Sequence, residues 1–342
     1  MNVKEKKVFC TFENAPLHRF PGHPESPQRL DAIAAWLENP PYREIEWLDF
    51  DAADEAEVML VHRPAHLDFL KEASRQGAHQ FESAPSYVTQ SSYRSALDAV
   101  GGTLAVSRRI ITEGSGSGFA IIRPPGHHAG TETAMGFCLL NNLAIAAADA
   151  VASGLSPVAI VDFDAHHGNG TQAVFQDTPE VAFFSMHEAN IYPGTGQIAS
   201  APHARGRIIN APLPSFTGTR PIIALFEQVV KPWLASVQPE ILFVSAGYDA
   251  HFSDPLTTLT VDTSGYFKLT QLLMEWAETF CHGRIIFVLE GGYDTLALQD
   301  NLQATLAALS GNNNFPDHYG SAPRVRQEID SVITEIKNFH QL

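Results

Sequence analysis

Two carboxylates and two imidazoles lie close together near the middle of the chain. The apolar run 158–161 is followed by Asp162-Phe-Asp164-Ala-His166-His167 and then by a Gly-Asn-Gly turn. A buried strand has little reason to end in acids and histidines unless these side chains bind something. In extended backbone, Asp164 and His166 would lie on the same face. Both residue types are common ligands of zinc and similar divalent metals.

Four further apolar runs are also followed directly by polar or glycine-rich residues. Such runs are typical of strands buried on both faces of a parallel sheet. Because ligands of an open parallel α/β sheet bind at the carboxyl ends of its strands, we expect all five segments to meet at one edge. The five runs and their followers are 119–122 before Arg123-Pro-Pro-Gly-His127-His128, 158–161 before 162–170, 181–184 before Ser185-Met186-His187, 241–244 before Ser245-Ala-Gly-Tyr-Asp249, and 285–289 before Glu290-Gly-Gly-Tyr293.

Helical patterns alternate with these apolar runs. The first has a serine cap and a proline at its first helical position, which is a typical helix start. The second is expected to be interrupted at Gly101-Gly102 and followed by a flexible turn over 114–118. The predicted helices span residues 26–37, 91–112, 141–153 and 264–281.

The composition is that of a globular protein with a large core. The chain has 342 residues, of which 44% are hydrophobic and 18% charged. No linker, repeat or low-complexity block divides it, so we predict a single α/β domain over residues 1–342, with a central parallel sheet flanked by helices. The net charge of -16 argues against a nucleic-acid partner. It could attract cationic substrates, or simply keep the protein soluble.

The cysteines and the N-terminus predict a cytoplasmic protein. The three cysteines are far apart and form no CxxC pair, so neither a disulfide framework nor a thiolate zinc site is indicated. The first residues lack the apolar core of a signal peptide. No apolar run is long enough to cross a membrane.

Asp164, His166 and Asp249 are the candidate metal ligands. Two carboxylates would neutralise a divalent cation, and a neutral imidazole would add a nitrogen donor. Three protein ligands leave a position open for water, which is typical of a catalytic zinc site. Taken singly, His166 could be a hydrogen-bonded core histidine and Asp249 a loop cap. Their common position at strand ends favours the metal site.

A second group could transfer protons. The stiff Pro-Pro-Gly bend would hold His127 and His128 in place, and histidine is the commonest general acid or base. Asp162 could orient one of these imidazoles, and Tyr293 could present its hydroxyl to the same edge. The alternatives are a solvated loop for the paired histidines and an ordinary turn for Gly-Gly-Tyr293.

Six ordered motifs resemble those of the zinc-dependent histone deacetylase family, which includes bacterial deacetylase-like amidohydrolases and acetylpolyamine amidohydrolases. The resemblance runs from about residue 23 to the C-terminal helix. It implies the arginase–deacetylase fold and hydrolysis of an N-acylated amine, above all the acetyl-lysine of a protein or peptide. The motifs are Arg123-Pro-Pro-Gly-His-His128, Gly136-Phe-Cys-Leu-Leu-Asn-Asn142, Asp162-Phe-Asp-Ala-His-His-Gly-Asn-Gly170, Tyr192-Pro-Gly-Thr-Gly196, Ser245-Ala-Gly-Tyr-Asp249 and Glu290-Gly-Gly-Tyr293.

The resemblance also implies roles for single residues. One zinc ion would be held by Asp164, His166 and Asp249. His128 matches the general base that later acts as acid, and His127 matches its partner. The remaining implied residues are Asp162 behind His127, Asn169 behind His128, Tyr293 as the carbonyl-polarising tyrosine, and Gly136, Phe137, Tyr192, Leu256 and Gly291 as substrate-binding residues, with Phe137 and Tyr192 as the walls of an acyl-lysine tunnel.

Potassium is implied as a structural ion. The inner site would use Asp162, Asp164, His166, Ser185 and Met186, in part through backbone carbonyls. The outer site would use the backbone carbonyls of Phe175, Thr178 and Val181.

Several alternatives stay open. Asp254-Pro255 precedes Leu256, where polyamine-specific members carry glutamate, so a polyamine specialist of that type is disfavoured. A two-manganese ureohydrolase would need further carboxylates where His167 and Asn169 stand. A catalytically silent acyl-lysine-binding module is the alternative of another class.

The rim of the tunnel and the oligomeric state are also open. Tyr192 replaces the usual phenylalanine and could change acyl preference. Segment 74–89 is the expected rim, with Ser83, Ser86 and Tyr87 as candidate contacts to substrate backbone. A homo-oligomer is compatible with the sequence.

Overall fold

A parallel sheet of eight strands forms the centre of the described part of the chain, in the order β2-β1-β5-β10-β9-β6-β7-β8. The computed structural model describes residues 7–81 and 86–342. Strands β3 and β4 form a separate antiparallel pair. The strands are β1 Val8–Glu13, β2 Ile45–Trp47, β3 His79–Phe81, β4 Ser86–Val88, β5 Gly116–Ile122, β6 Val158–Asp162, β7 Val181–Glu188, β8 Ile208–Leu213, β9 Ile241–Ala246 and β10 Arg284–Leu289.

Helices cover both faces of this sheet. A π-helical turn, Phe226–Val230, joins α6 to α7, and short 3₁₀ helices span Pro27–Arg29, Asp31–Leu37 and Pro202–Ala204. The α-helices are α1 Glu55–Val58, α2 Pro64–Gln76, α3 Ser92–Glu113, α4 Asn142–Ala152, α5 Asn169–Phe175, α6 Thr219–Leu225, α7 Lys231–Val237, α8 Thr263–Phe280, α9 Thr295–Leu309 and α10 Asp330–His340.

Each face of the sheet has its own hydrophobic core. In β6, Ala159 and Val161 pack into one core with Trp233 of α7, whereas Val158 and Ile160 pack into the other. Because alternate side chains of a strand point to opposite faces, a strand covered on both sides must be apolar throughout. This explains the uninterrupted apolar runs and confirms the prediction of a buried parallel sheet.

The five strands that are followed by polar segments are consecutive neighbours in the sheet. Their order is β5-β10-β9-β6-β7, and every pairing among them is parallel. Their carboxyl ends therefore meet at one edge, as the sequence predicts. In the described residues, no helix has both the length and the apolar character that crossing a bilayer requires.

Three local predictions were wrong. Residues 26–37 form two 3₁₀ helices rather than an α-helix, and Ser26 makes no side-chain cap bond. Helix α3 continues through Gly101-Gly102 without interruption. A Cβ at Gly101 would lie 2.0 Å from the carbonyl oxygen of Asp51, so the glycine allows close packing of a loop.

The predicted turn over residues 114–118 is also shorter than expected, because β5 already begins at Gly116. A Cβ at Gly118 would lie 2.4 Å from Cγ1 of Val106 in α3. The glycine that favours a turn in the sequence instead lets this helix approach the strand closely.

Candidate active site

Asp164, His166 and Asp249 converge at the carboxyl ends of the neighbouring strands β6 and β9. Their ligand atoms all lie within 4.8 Å of one another. Nδ1 of His166 lies 3.1 Å from Oδ1 of Asp164 and 2.9 Å from Oδ2 of Asp249. The two carboxylates are buried. The three predicted ligands thus form one compact cluster of oxygen and nitrogen donors.

Backbone amides hold the two carboxylates of this cluster. The Gly291 N–H donates to Oδ2 of Asp164 at 2.9 Å, and the Ala165 N–H donates to Oδ1 of Asp249 at 2.9 Å. A Cβ at Gly291 would lie 2.4 Å from Oδ2 of Asp249 and 2.7 Å from Oδ2 of Asp164. Gly291, predicted to bind substrate, therefore packs its backbone against both carboxylates.

The donor set fits a divalent cation. Three buried carboxylates, those of Asp162, Asp164 and Asp249, share ion pairs with two imidazoles, those of His127 and His166. Burying carboxylates without compensating charge is costly. A cation held by two carboxylates and one imidazole would compensate them, and this mixed oxygen and nitrogen set suits zinc.

The two adjacent histidines have different partners. Nδ1 of His127 lies 3.0 Å from Oδ2 of Asp162, and Nδ1 of His128 lies 2.7 Å from Oδ1 of Asn169. An amide oxygen only accepts hydrogen bonds, so Nδ1 of His128 carries the hydrogen and Nε2 is left as the basic nitrogen. The amide nitrogen of Asn169 donates to the Met135 sulfur at 3.3 Å, consistent with this orientation.

These partners shift the two imidazoles in opposite directions. Burial alone would lower the pKa of His127, but the carboxylates of Asp164 and Asp162 outweigh it and hold the pKa above its ordinary value. Burial and the nearby His127 hold the pKa of His128 well below its ordinary value. One imidazole is therefore stabilised as a cation, and the other as a neutral base.

The turn that carries both histidines is fixed by Glu290, at the end of β10. Oε2 of Glu290 accepts the backbone N–H groups of Gly126 at 2.7 Å and His127 at 3.1 Å. The Ser245 hydroxyl donates to the other carboxylate oxygen at 3.2 Å. Glu290 appears in the sequence only as the start of the Gly-Gly-Tyr motif, and its anchoring role was not predicted.

Tyr293 is held by Asp254 and Arg29, neither of which the sequence predicts as a site residue. Oδ2 of Asp254 accepts the Tyr293 N–H at 2.7 Å, and Oδ1 accepts the Leu256 N–H at 2.9 Å. The Arg29 guanidinium lies 4.9 Å from the Tyr293 ring centroid and donates to the carbonyls of Gly292 and Glu290. Asp254 stands out in the sequence only as the start of Asp254-Pro255-Leu256 and Arg29 not at all, and only the fold brings them to the tyrosine.

A cavity of about 210 Å³ opens onto this cluster. The Phe137 ring packs edge-on against Tyr293, with 5.7 Å between ring centroids, and Tyr192 packs edge-on against His128 at 5.2 Å. A Cβ at Gly136 would lie 2.2 Å from Cδ2 of His128, so the wall at this point must be backbone. The residues that line the cavity are His128, Gly136, Phe137, His166, Tyr192, Leu256 and Tyr293.

The rim residues are placed differently from the sequence prediction. Ser86 is buried, and its hydroxyl accepts the Phe137 N–H at 2.9 Å, which supports the positive φ of 69° at Phe137. Tyr87 is buried, and its hydroxyl donates to the carbonyl of His18 at 3.0 Å. Neither side chain is free to contact substrate backbone, whereas Ser83 lies outside the described residues.

The oxygen atoms of the two expected potassium sites contact different groups. At the inner set, the Ser185 hydroxyl lies 3.1 Å from Nδ1 of His187, and the backbone N–H of Asp164 donates to Oδ1 of Asp162 at 3.0 Å. At the outer set, one guanidinium nitrogen of Arg207 donates to all three backbone carbonyls, those of Phe175, Thr178 and Val181.

Comparison with known proteins agrees with this geometry. The family model of the histone deacetylase domain matches residues 23–309. The chain is 35% identical over 95% of its length to histone deacetylase 14, chloroplastic, of Arabidopsis thaliana, covering 82% of that protein. It is 34% identical over 85% of its length to a probable deacetylase of Archaeoglobus fulgidus, again covering 82%.

A solved structure gives the same result for the fold. The crystal structure of the HDA15 HD domain superposes with a TM-score of 0.86 at 32% identity, over 98% of this chain and 96% of that one. The chain therefore belongs to the histone deacetylase family and has its arginase–deacetylase fold.

Proposed function

We propose that this chain is a zinc-dependent deacetylase that removes acetyl or other acyl groups from lysine side chains of proteins or peptides. The observation that carries the proposal is the common cavity of His166, the basic histidine His128 and the hydroxyl-bearing Tyr293. A metal ligand, a proton carrier and an oxyanion donor are the groups that metal-assisted amide hydrolysis needs.

One zinc ion would be held by Asp164, His166 and Asp249. When bound, zinc polarises a carbonyl oxygen and lowers the pKa of a bound water toward about 7. Gly291 and Ala165 would keep the two carboxylates in place for the ion, because their N–H groups donate to Oδ2 of Asp164 and Oδ1 of Asp249.

His128 would move the protons. Its Nδ1 hydrogen is committed to Asn169, so Nε2 can accept a proton from the attacking water. Its lowered pKa keeps it neutral and ready for that role. The protonated imidazole would then donate to the leaving amine nitrogen. His127 would stay paired with Asp162 and hold its positive charge beside the reacting atoms.

Tyr293 would stabilise the oxyanion. Burial raises the pKa of Tyr293 well above its ordinary value, so the hydroxyl remains protonated and can donate a hydrogen bond. One such donor typically lowers the barrier by about 3–4 kcal/mol. Asp254 and Arg29 would position the tyrosine through its backbone N–H and its ring.

The cavity walls favour an extended acyl-lysine side chain. Phe137 and Tyr192 offer aromatic surface on which a methylene chain can pack. Leu256, 40% exposed, lies at the mouth. An aliphatic residue there gives a polyamine no charged partner, so we expect lysine substrates to be preferred over acetylated polyamines.

Further expectations accompany this proposal. Potassium would bind at the inner set of Asp162, Asp164, His166, Ser185 and Met186, which includes the carboxylate and hydroxyl oxygens that hard cations prefer. A cytoplasmic location and a single domain over residues 1–342 stay predictions, and two relatives carry "chloroplastic" in their names.

The experiment is a turnover assay of the zinc-loaded chain on acetyl-lysine peptide, longer-acyl lysine peptides and acetylated polyamines. We expect hydrolysis of lysine peptides, with the acyl groups ranked by kcat/KM. Turnover of polyamines alone would replace the lysine assignment by a small-amine hydrolase. Binding of acyl-lysine peptide without turnover of any substrate would mean a silent binding module.

A further inference from the structure

Arg207 makes an unusual set of contacts just before β8. One guanidinium nitrogen, Nη1, lies 2.8 Å from each of the carbonyl oxygens of Phe175, Thr178 and Val181. The other terminal nitrogen, Nη2, donates to the carbonyl of Gln176. Four backbone carbonyls of one short segment thus converge on a single positive charge.

These carbonyls form a natural cation site. Phe175 is the last residue of α5, and the carbonyls at a helix C-terminus have no partner within the helix and carry partial negative charge. Rings of backbone carbonyls are also the donors that bind potassium in proteins. A potassium ion and a guanidinium therefore compete for the same oxygens.

We propose that Arg207 is the chain's own cation at this position and replaces the outer potassium ion. The two hydrogens of Nη1 are shared among three carbonyls, so the nitrogen fills the centre of the oxygen set. A potassium ion could bind there only if the guanidinium left. The chain would then use a monovalent cation at the inner set alone, whether or not it deacetylates lysine.

The contact also ties the active site to the sheet. The Phe183 N–H in β7 donates to the Arg207 carbonyl at 3.0 Å, while the side chain holds the end of α5. Asn169, the partner of His128, is the first residue of the same helix. Arg207 thus fixes the end of α5 that is remote from the proton-transferring histidine.

Crystals of the full chain grown in rubidium chloride test the proposal directly, because rubidium substitutes for potassium and gives an anomalous signal. In the wild type we expect no rubidium peak among the carbonyls of Phe175, Thr178 and Val181. In Arg207→Met we expect a peak there. A wild-type peak at these oxygens would overturn the proposal.

Melting temperatures give a second readout that needs no activity. In choline chloride, Arg207→Met should melt about 5 °C below the wild type, since it loses charged hydrogen bonds. Potassium should restore more stability to this variant than it adds to the wild type. Arg205→Met, two residues away at an exposed position, is the matched control and should respond to potassium as the wild type does.

The remaining outcomes are also decisive. If folded Arg207→Met gains no more from potassium than the wild type, the carbonyls are not a cation site and the proposal fails. If Arg207→Met does not fold, Arg207→Lys replaces it. Its smaller ammonium group should keep the site filled and show no rubidium peak, and a peak there would contradict a built-in cation.

Discussion

Two buried charged clusters in this chain are balanced in different ways. Around Glu25, one carboxylate lies between the guanidinium groups of Arg123 and Arg29, and the remaining donors of Arg123 reach backbone carbonyls such as that of His18. All three side chains are buried. At the active-site edge, three carboxylates share ion pairs with only two imidazoles, those of His127 and His166. In the first cluster every charged group has a partner within the chain, whereas in the second a bound cation would compensate the remaining carboxylate charge.

This difference separates a cluster that stabilises the fold from a cluster that can bind a metal. A buried cluster whose charged groups all have partners within the chain holds segments together, here the loop 14–29 against the ends of β5 and β10. A cluster with surplus negative charge, facing a cavity, is suited to bind a metal. Arg207 belongs to the first kind, because the chain supplies the cation for its own carbonyls.

The largest expected effect comes from Asp249→Ala. Removing a residue that hydrogen-bonds to a metal ligand typically lowers metal affinity or activity by roughly 10–100-fold. Removing a ligand itself should have a larger effect, so we expect zinc affinity and turnover to fall by more than this. The melting temperature of the metal-free protein should not fall, since a surplus charge is removed. Zinc titration and thermal unfolding measure the two effects, with exposed Asp177→Ala as control. An unchanged zinc affinity would contradict the ligand assignment.

Glu25→Gln should lower stability and leave zinc affinity unchanged, the opposite of Asp249→Ala. Removing one partner of a buried ion pair typically costs about 3–5 kcal/mol of stability, and we expect this loss in denaturant unfolding while zinc affinity per folded molecule is kept. Glu72→Gln, which breaks an exposed pair with Arg75, is the matched control and should lose much less. A Glu25→Gln variant as stable as the wild type would mean that this buried ion pair does not stabilise the fold.

The same cluster predicts a pH dependence. Burial would raise the pKa of Glu25, but Arg123 outweighs it and lowers the pKa from 4.5 to about 2. A carboxyl with a depressed pKa contributes stability above its unfolded pKa, and this stability is lost as pH falls through the folded pKa. The wild type should therefore lose stability between about pH 4.5 and 2 more steeply than Glu25→Gln.

Tyr293→Phe should lower kcat by about 10²–10³-fold, the usual effect of removing one oxyanion donor. KM, zinc affinity and melting temperature should change little, because the ring and its neighbours remain. Tyr319→Phe, which removes an exposed hydroxyl bonded to Asp294, is the control in the same assay. Wild-type kcat for Tyr293→Phe would mean that the tyrosine is not the donor.

The smallest effect is expected for Asp254→Asn. An asparagine can accept only one of the two N–H groups that the carboxylate holds, so Tyr293 should be displaced and kcat should fall about 10-fold. Asp262→Ala, which removes the side-chain cap of α8, should lower the melting temperature without this change in kcat. If Asp254→Asn lowers only the melting temperature and not kcat, Asp254 stabilises the fold but does not position Tyr293 for catalysis.

The sequence predicts the central sheet and the site cluster well for one physical reason. Strands that are buried on both faces are built from apolar runs, so the polar residues after each run mark the reactive edge, as for Asp162 at the end of β6 and Glu290 after β10. Local spacing also predicts that Asp164 and His166 lie together. These features depend only on short segments of sequence and on the rule that ligands bind at the carboxyl ends of parallel strands.

Contacts between segments that are distant in the sequence could not be predicted from such local patterns. Tyr87 was predicted at the rim, but its hydroxyl bonds to Glu25, 62 residues earlier. Arg207 stands in no motif, and it reaches carbonyls 26 to 32 residues before it. Gly101 and Gly118 were interpreted as breaks, because the close packing that they permit is invisible in the sequence.

The most direct test of the proposed zinc site is the zinc dependence of turnover on an acetyl-lysine peptide. The chain would be freed of metal with a chelator and then titrated with zinc. We predict that turnover disappears on chelation and returns in proportion to zinc, reaching its maximum at one ion per chain. Undiminished turnover by the metal-free chain would contradict an active site built on Asp164, His166 and Asp249.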